Sequence, residues 1–309
     1  MKNIEVLVLG SSNTDMIIQV DHLPLPGETV LGGAFTQAAG GKGANQAVAA
    51  ARAGAQVTFV AAVGEDDLGL QAIAGYQQDQ IDTQYIQRIA GQHTGVAMIS
   101  VDAKGENCIA VASGANACLS ADDVNRLSTV IQQSRVLLMQ LETPLEAVRA
   151  AANLASTHSS TFTILNPAPA QPLPDDLYPL LDLITPNETE AALMTGITVK
   201  DLETARQAGQ QLLSKGVKQV ILTLGAEGAL WLTHDQDRHI SGCQVHPVDT
   251  TAAGDTFNGA LATCLAQGMK MMEAIAFANA AAALSVTQLG AQPSIPRKDA
   301  VIAFMKGSN

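Results

Sequence analysis

Short apolar runs, Val6 to Gly10, Val57 to Gly64, Val136 to Leu141, Phe162 to Asn166, Leu183 to Thr185 and Val220 to Leu224, recur along this chain without a polar face of their own. A strand that is apolar on both faces must be covered on both faces, as a central strand of a parallel sheet is. Between the runs lie stretches with helical spacing, among them Gly43 to Ala53 (ended by Gly54), Leu145 to Ser156 and Leu202 to Lys215 (ended by Gly216). Repetition of strand, helix and strand is the βαβ pattern. It predicts an α/β fold, a doubly wound, mostly parallel central sheet flanked by helices. With 309 residues, 47% of them hydrophobic, the chain is expected to form a single α/β domain across residues 1–309.

Two stretches break that rhythm. Thr14 to Val20 and Thr29 to Thr36 flank a Pro24-Leu25-Pro26-Gly27 turn, and Gly95 to Val101 and Asn107 to Val111 flank Asp102-Ala103-Lys104-Gly105, so each reads as a β-hairpin. Together they predict a small β-sheet lid, from excursions at about residues 12–38 and 94–113, over the strand ends where open α/β folds bind ligands. Surface hairpins with no part in catalysis would give the same pattern. The edges of such a lid need cover, and pairing across a two-fold axis would supply it.

The formal charge is -12 and no basic run occurs, which argues against a nucleic-acid or anionic-membrane surface and for a small-molecule partner. With only 17 Lys and Arg, any phosphate chemistry would lean on backbone N–H groups and a divalent cation. Cys108, Cys118, Cys243 and Cys264 are scattered, with no C-x-x-C pair, so buried free thiols in a reducing cytoplasm are expected. Residues 1–10 read as a first buried strand and not a signal peptide, and the most apolar stretch, Ala274 to Val286, is too short to span a bilayer.

Polar residues gather at strand ends. Asn13 and Asp15 follow the first run and alternation puts them on one face; an Asx-turn would use the same residues. In Gly40-Gly41-Lys42-Gly43-Ala44-Asn45-Gln46, consecutive glycines let a ligand approach the backbone, and Lys42 and Asn45 offer donors suited to a polyhydroxylated molecule. This is not a P-loop, since Lys42 is followed by glycine. A structural helix start, or a structural salt bridge from Lys42, is the plain alternative. Glu142 closes its strand and suits sugar hydroxyls or water-bound Mg²⁺, or a helix cap. Asn187 and Glu190 have capping-box spacing. The glycines of Thr223-Leu224-Gly225-Ala226-Glu227-Gly228 would let a nucleotide lie on the backbone or make a tight turn. Densest of all is Asp249-Thr250-Thr251-Ala252-Ala253-Gly254-Asp255-Thr256-Phe257-Asn258-Gly259. Small residues running into a helix start leave unpaired N–H groups with the Asp255 carboxylate among them: an anion site with a base, or ordinary N-cap chemistry. A first-turn position favours the ionised carboxylate.

These residues resemble the ribokinase-like (PfkB-type) family of carbohydrate kinases nearly end to end, including both family signatures, at Gly40 to Gln46 and from Asp249. The resemblance implies transfer of the γ-phosphate of MgATP to the O5 hydroxyl of D-ribose, with deoxyribose, fructose or a related small sugar as the alternative acceptor. It implies Asp255 as the base, and the N–H groups of Ala252, Ala253 and Gly254 as an anion hole. Asn13, Asp15, Gly41, Lys42, Asn45, Glu142 and Asp255 would bind the sugar. Asn187, Glu190, Thr223, Gly225, Glu227, Gly228, Gly254 and Asn279 would bind ATP, with Glu190 reaching Mg²⁺ through water; at Asn279 the family often carries His. Asp249, Thr251, Ser285, Gln288, Gly290 and Ser294 would form a monovalent-cation loop, so K⁺ activation is implied, as is a homodimer through the lid. Only 3% of residues are aromatic, which disfavours a nucleoside acceptor, and no Arg in the hairpins disfavours a phosphosugar. The intact Gly254-Asp255 pair argues against a non-catalytic sugar sensor.

Overall fold

A computed structural model of the chain describes residues 4–157 and 160–307. The strands are β1 (Ile4–Leu9), β2 (Asn13–Gln19), β3 (Phe35–Gly40), β4 (Val57–Gly64), β5 (Ile86–Ile89), β6 (Gly95–Val101), β7 (Asn107–Ala112), β8 (Ser134–Met139), β9 (Phe162–Leu165), β10 (Leu183–Ile184), β11 (Val220–Thr223), β12 (Gly228–Leu232) and β13 (Asp237–Ser241). The helices are α1 (Lys42–Arg52), α2 (Asp67–Gln78), α3 (Ala121–Asn125), α4 (Ser128–Gln132), α5 (Leu145–Ser156), α6 (Glu188–Thr195), α7 (Leu202–Ser214), α8 (Ala253–Ala266), α9 (Met271–Ser285), α10 (Ala291–Ser294) and α11 (Lys298–Gly307).

Nine strands form one twisted layer in the order β13-β12-β11-β10-β9-β8-β1-β4-β5, parallel except for β12 and β13. Successive side chains of a strand point to opposite faces, and both faces here are buried. Val6 and Val8 join a core with α1, α8 and α9, while Leu7 and Leu9 join a second core with α5 and α7. That is why the central runs lack a polar face. Each apolar run corresponds to a strand of this sheet. The edge strand β13 and the short β5 carried no such signal: β13 is polar and largely exposed, and packing on one side removes the demand for continuous apolar residues, whereas its neighbour β12 is apolar and buried.

The two excursions meet in a separate four-stranded sheet, β3-β2-β6-β7, whose first strands β2 and β6 pair in parallel with Asn13 opposite Gly95. In the first excursion the expected return strand Thr29 to Thr36 is misplaced. The strand runs Phe35–Gly40, its last residue paired with Asn13, and residues 20–34 form an exposed connection around a turn at Leu25 and Glu28. The cause is continuity: β3 leads directly into Gly41 and α1, so the strand must end at the glycine motif. The thiol expectation also needs correction. All four cysteines are free, but only Cys264 is buried, and Cys108 lies exposed on β7. No described helix is long and apolar enough to cross a membrane.

Candidate active site

Four segments converge where β1 and β8 end. Gly41 takes φ 89°, and a Cβ there would stand 2.7 Å from the Asn13 amide nitrogen, so glycine lets the chain after β1 lie against the start of α1. From that helix start the Lys42 N–H donates to Glu142 Oε2 at 3.0 Å, an oxygen that also accepts from Ser11 Oγ at 2.5 Å. One turn on, Asn45 Nδ2 donates to Asp255 Oδ2 at 3.0 Å and Gln46 Nε2 donates to Asp255 Oδ1 at 2.9 Å. Both carboxylates are thus held by one helical turn. Asn45 Oδ1 is buried and accepts no hydrogen bond from the described residues, which leaves an acceptor for a ligand hydroxyl. Asn13 is 4% exposed and its Oδ1 accepts from Asn116 Nδ2 at 2.7 Å, which fixes its amide.

The charges in this cluster act on one another. Burial, then the nearby Glu142 and Asp255 carboxylates, push the Asp15 pKa up to about 6. Burial works against the Lys42 ammonium, yet Asp255, Glu142 and Glu190 together hold its pKa above the ordinary lysine value. For Asp255 burial wins over Lys42, Asn45 and Gln46, so its pKa lies above the usual carboxylate range. This reverses the expectation that a first-turn position would favour its ionised form: the desolvated surroundings outweigh the helix end.

Ala252 sits in the left-handed region at φ 59° and turns the chain into α8, which begins at Ala253. The N–H groups of Ala252, Gly254 and Asp255 make no hydrogen bond to the described residues, whereas the Ala253 N–H donates to the Thr250 carbonyl at 3.3 Å. The unpaired donors differ by one residue from the set implied by the resemblance. Further along the turn, Asn258 Nδ2 donates to the Gly254 carbonyl at 2.8 Å, and its Oδ1 accepts from Thr185 Oγ1 at 2.6 Å, which anchors α8 to the end of β10.

On the other side of Gly254 lies a cavity of about 450 Å³. Asn187, Thr223, Gly225, Gly228, Gly254 and Asn279 line it; Glu190 and Glu227 do not. Glu190 instead accepts from the Asn187 N–H at 2.9 Å and Asn187 Nδ2 at 3.0 Å, while Asn187 Oδ1 accepts from the Glu190 N–H at 2.8 Å. The pair forms a complete capping box on α6. Burial raises the Glu190 pKa, and Lys42 pulls against it. The Glu227 carbonyl accepts from the Gly242 N–H and from His239, tying the turn to β13. Asn279 Nδ2 donates to the carbonyls of Ile240 and Ser241, both at 3.2 Å.

The proposed cation loop is brought only partly together. Asp249 Oδ1 accepts from the Thr251 N–H and Oγ1 at 2.9 and 2.6 Å, and Oδ2 accepts from the Gly290 N–H at 2.8 Å. Burial opposes the Asp249 charge, but these bonds carry its pKa below the ordinary value. Ser285 and Ser294 are buried, with hydroxyls donating to the Ala282 and Ala291 carbonyls, so only their backbone oxygens could face a cation; the Ser285 carbonyl itself accepts from the Gln288 N–H at 3.2 Å. Among the described residues no group of three or more His, Cys, Asp or Glu could hold a metal.

A model of the pfkB family of carbohydrate kinases matches residues 3–298. The chain belongs to that family. Among pfkB relatives, the ribokinase of Haemophilus influenzae is 47% identical over 299 residues, 97% of each chain. The deoxyribokinase of Salmonella typhi is 37% identical over 94% of this chain and 95% of its own. The solved structure of Arabidopsis thaliana ribokinase complexed with ribose and ATP is similar with a TM-score of 0.91 at 31% identity, over 99% of both chains. The chain is therefore a sugar kinase, a phosphotransferase with an alcohol acceptor.

Sequence reasoning quoted Gln46 within the pfkB glycine motif without giving it work. It donates through Nε2 to Asn166 Oδ1 as well as Asp255, and accepts from Gln140 Nε2, so a buried amide chain crosses the sheet end beneath the carboxylate. The signal was there in Gln140 and Asn166, polar residues inside otherwise apolar strand runs. The nucleotide-sized cavity also takes Ala282 and Ala283 of α9 and Val286 at its C-cap, from the stretch read only as too short to span a bilayer. Their spacing of three, four and seven from Asn279 puts them on the same helix face.

Proposed function

We propose that the chain transfers the γ-phosphoryl group of ATP to O5 of D-ribose, giving ribose 5-phosphate and ADP. The observation that carries this is the position of Asp255, with unpaired α8 amides beside it, between a nucleotide-sized cavity and the cluster of Asn13, Asp15, Lys42, Asn45 and Glu142. The acceptor hydroxyls meet donors from Lys42 and Asn13 and acceptors from Asp15, Glu142 and Asn45 Oδ1. In the transfer, O5 bonds to the γ-phosphorus, the bond to the β-phosphate oxygen breaks, and the O5 proton passes to Asp255. A loose transition state leaves the protein mainly positioning and charge stabilisation to supply. The Ala252 and Gly254 N–H groups meet the equatorial oxygens, and the raised pKa of Asp255 makes it a stronger proton acceptor once ionised.

Mg²⁺, carried by ATP, would neutralise phosphate charge; it usually keeps several waters and takes one or two carboxylates, which fits Glu190, aligned by its cap, as a contact through water. K⁺ fits the ionised Asp249 and the backbone oxygens of residues around Thr251, Ser285, Gln288, Gly290 and Ser294. The four-stranded sheet acts as a lid on the single domain and pairs with that of a second copy. Phe35, Met98, Ile109 and Val111, each more than half exposed on that sheet, support this by requiring cover. The free thiols support a reducing cytoplasm as the compartment. Deoxyribose is the second reading, favoured by the 37% identical deoxyribokinase. An ADP-release screen over pentoses and hexoses with ATP, Mg²⁺ and K⁺ tests the proposal: D-ribose should give the highest kcat/KM, and preference for another sugar would reassign the acceptor.

A further inference from the structure

A second cavity, of about 380 Å³, opens beside Asn13 and Glu142 and shares no lining residue with the nucleotide-sized one. The first cavity borders Asp255 through its neighbour Gly254, and the second borders the acceptor cluster through Asn13 and Glu142. Glu142 and Asp255 are tied to the Lys42 N–H and the Asn45 side chain, three residues of α1 or roughly 4.5 Å apart along the axis, a span that suits one furanose ring. A pentofuranose with O5 at Asp255 has its anomeric carbon at the opposite end of the ring, towards Asn13 and Glu142. We infer that the second cavity is an acceptor subsite for a neutral, non-aromatic substituent on the anomeric oxygen, so that the enzyme phosphorylates C1-substituted furanosides as well as the free sugar. The inference rests on the acceptor placement proposed above.

The lining chemistry selects the substituent. Val111, Leu145 and Ala117 give it apolar wall, and Ser113 and Gln171 give it polar groups, with Gln171 Nε2 donating to the Leu141 carbonyl at 3.4 Å. Its one charged residue is Glu142, and no lining residue is basic or aromatic. A phosphate on C1 would meet the Glu142 carboxylate in a cavity that no basic residue lines, and a nucleobase would find no ring to stack on. A small alkoxy group meets neither obstacle. The chemistry at O5 is unchanged, with its proton going to Asp255, and the glycosidic bond stays intact.

The test is ADP release from ATP with D-ribose, with the α and β methyl D-ribofuranosides and with α-D-ribose 1-phosphate, using the wild type and Ala117→Trp, a substitution at an exposed lining position. One methyl furanoside anomer should be used with kcat/KM within about tenfold of D-ribose, and Ala117→Trp should lower that value at least about tenfold while leaving D-ribose within about twofold. Ribose 1-phosphate should not be used. If the wild type phosphorylates D-ribose but neither furanoside, if it uses ribose 1-phosphate, or if Ala117→Trp slows both acceptors alike, the subsite is wrong while the kinase reading stands. Absence of ADP with every acceptor, D-ribose included, overturns both.

Discussion

Asp255 is a carboxylate whose charge is opposed by burial and sustained by Lys42, Asn45 and Gln46. Asp255→Asn keeps the shape and removes the proton acceptor. We expect turnover to fall by about 10²–10⁴, with ATP affinity by calorimetry within a few-fold of wild type; near-wild-type turnover would remove Asp255 from the chemistry. Asp15 shows the cost of gathering carboxylates for a polyol. Its pKa is raised from 3.8 to about 6, so between those values the folded protein holds a proton that the unfolded chain has released. The contribution of this group to stability therefore falls as pH rises through that window, by about 3 kcal/mol in all for the apo protein. Asp15→Asn should raise Tm at about pH 8 and change it much less at about pH 4, while raising the sugar KM at both. Calorimetric scans at the two pH values, with no Tm gain at the higher one, would contradict the assignment.

At the scale of elements, the site depends on how closely α1 and α8 approach. A Cβ on Gly259 would stand 2.5 Å from the Gln46 carbonyl oxygen and 2.6 Å from the Ala49 Cβ. Gly259→Val should cost about 1–3 kcal/mol or more and lower kcat beyond what the lost fraction folded explains, because the two helices carry Asn45, Gln46 and Asp255. Chemical denaturation alongside single-turnover kinetics separates the two effects. Helix α6 poses the converse question, whether Asn187 and Glu190 are cap or nucleotide contact. Asn187→Ser preserves an N-cap acceptor, so stability should stay within about 0.5 kcal/mol while the ATP KM rises several-fold. An unchanged KM would leave the pair a cap alone. These elements were unequally legible. The central strands announced themselves because coverage on both faces forces continuous apolar residues. The Gly40 and Asp249 motifs announced the site because close backbone approach and open amides need small residues. The return strand of the first hairpin was misplaced because Thr29 to Thr36 has strand composition, yet its register is set by Gly40 pairing with Asn13 across the sheet. Burial raising the Asp255 pKa, with a smaller push from the Glu142 carboxylate, was equally illegible, since both depend on segments distant in the chain meeting at one place.

At the scale of the whole molecule, the four-stranded sheet presents Met98, Ile109 and Phe35 to solvent on a chain of net charge -12. A second copy covering that face predicts a dimeric mass by light scattering at micromolar concentration, and Met98→Glu should shift the protein towards monomer and raise the sugar KM. A monomeric wild type would refute the pairing. The Asp249 loop lies just before the Ala252 turn into α8, so the proposed cation would act on the unpaired amides. Activity in K⁺ should exceed that in choline at equal ionic strength, and equal rates would count against a cation at the loop.

In the proposed reaction Asp255 takes the proton of the primary hydroxyl of a pentose. The most direct test uses D-ribose labelled with ¹³C at C5, incubated with ATP, Mg²⁺ and the wild-type protein, and reads the product by ¹³C and ³¹P NMR. We expect a phosphomonoester with phosphorus–carbon coupling to C5, formed by the wild type and lost in Asp255→Asn. Coupling to another carbon, or product formed equally well by Asp255→Asn, would contradict it.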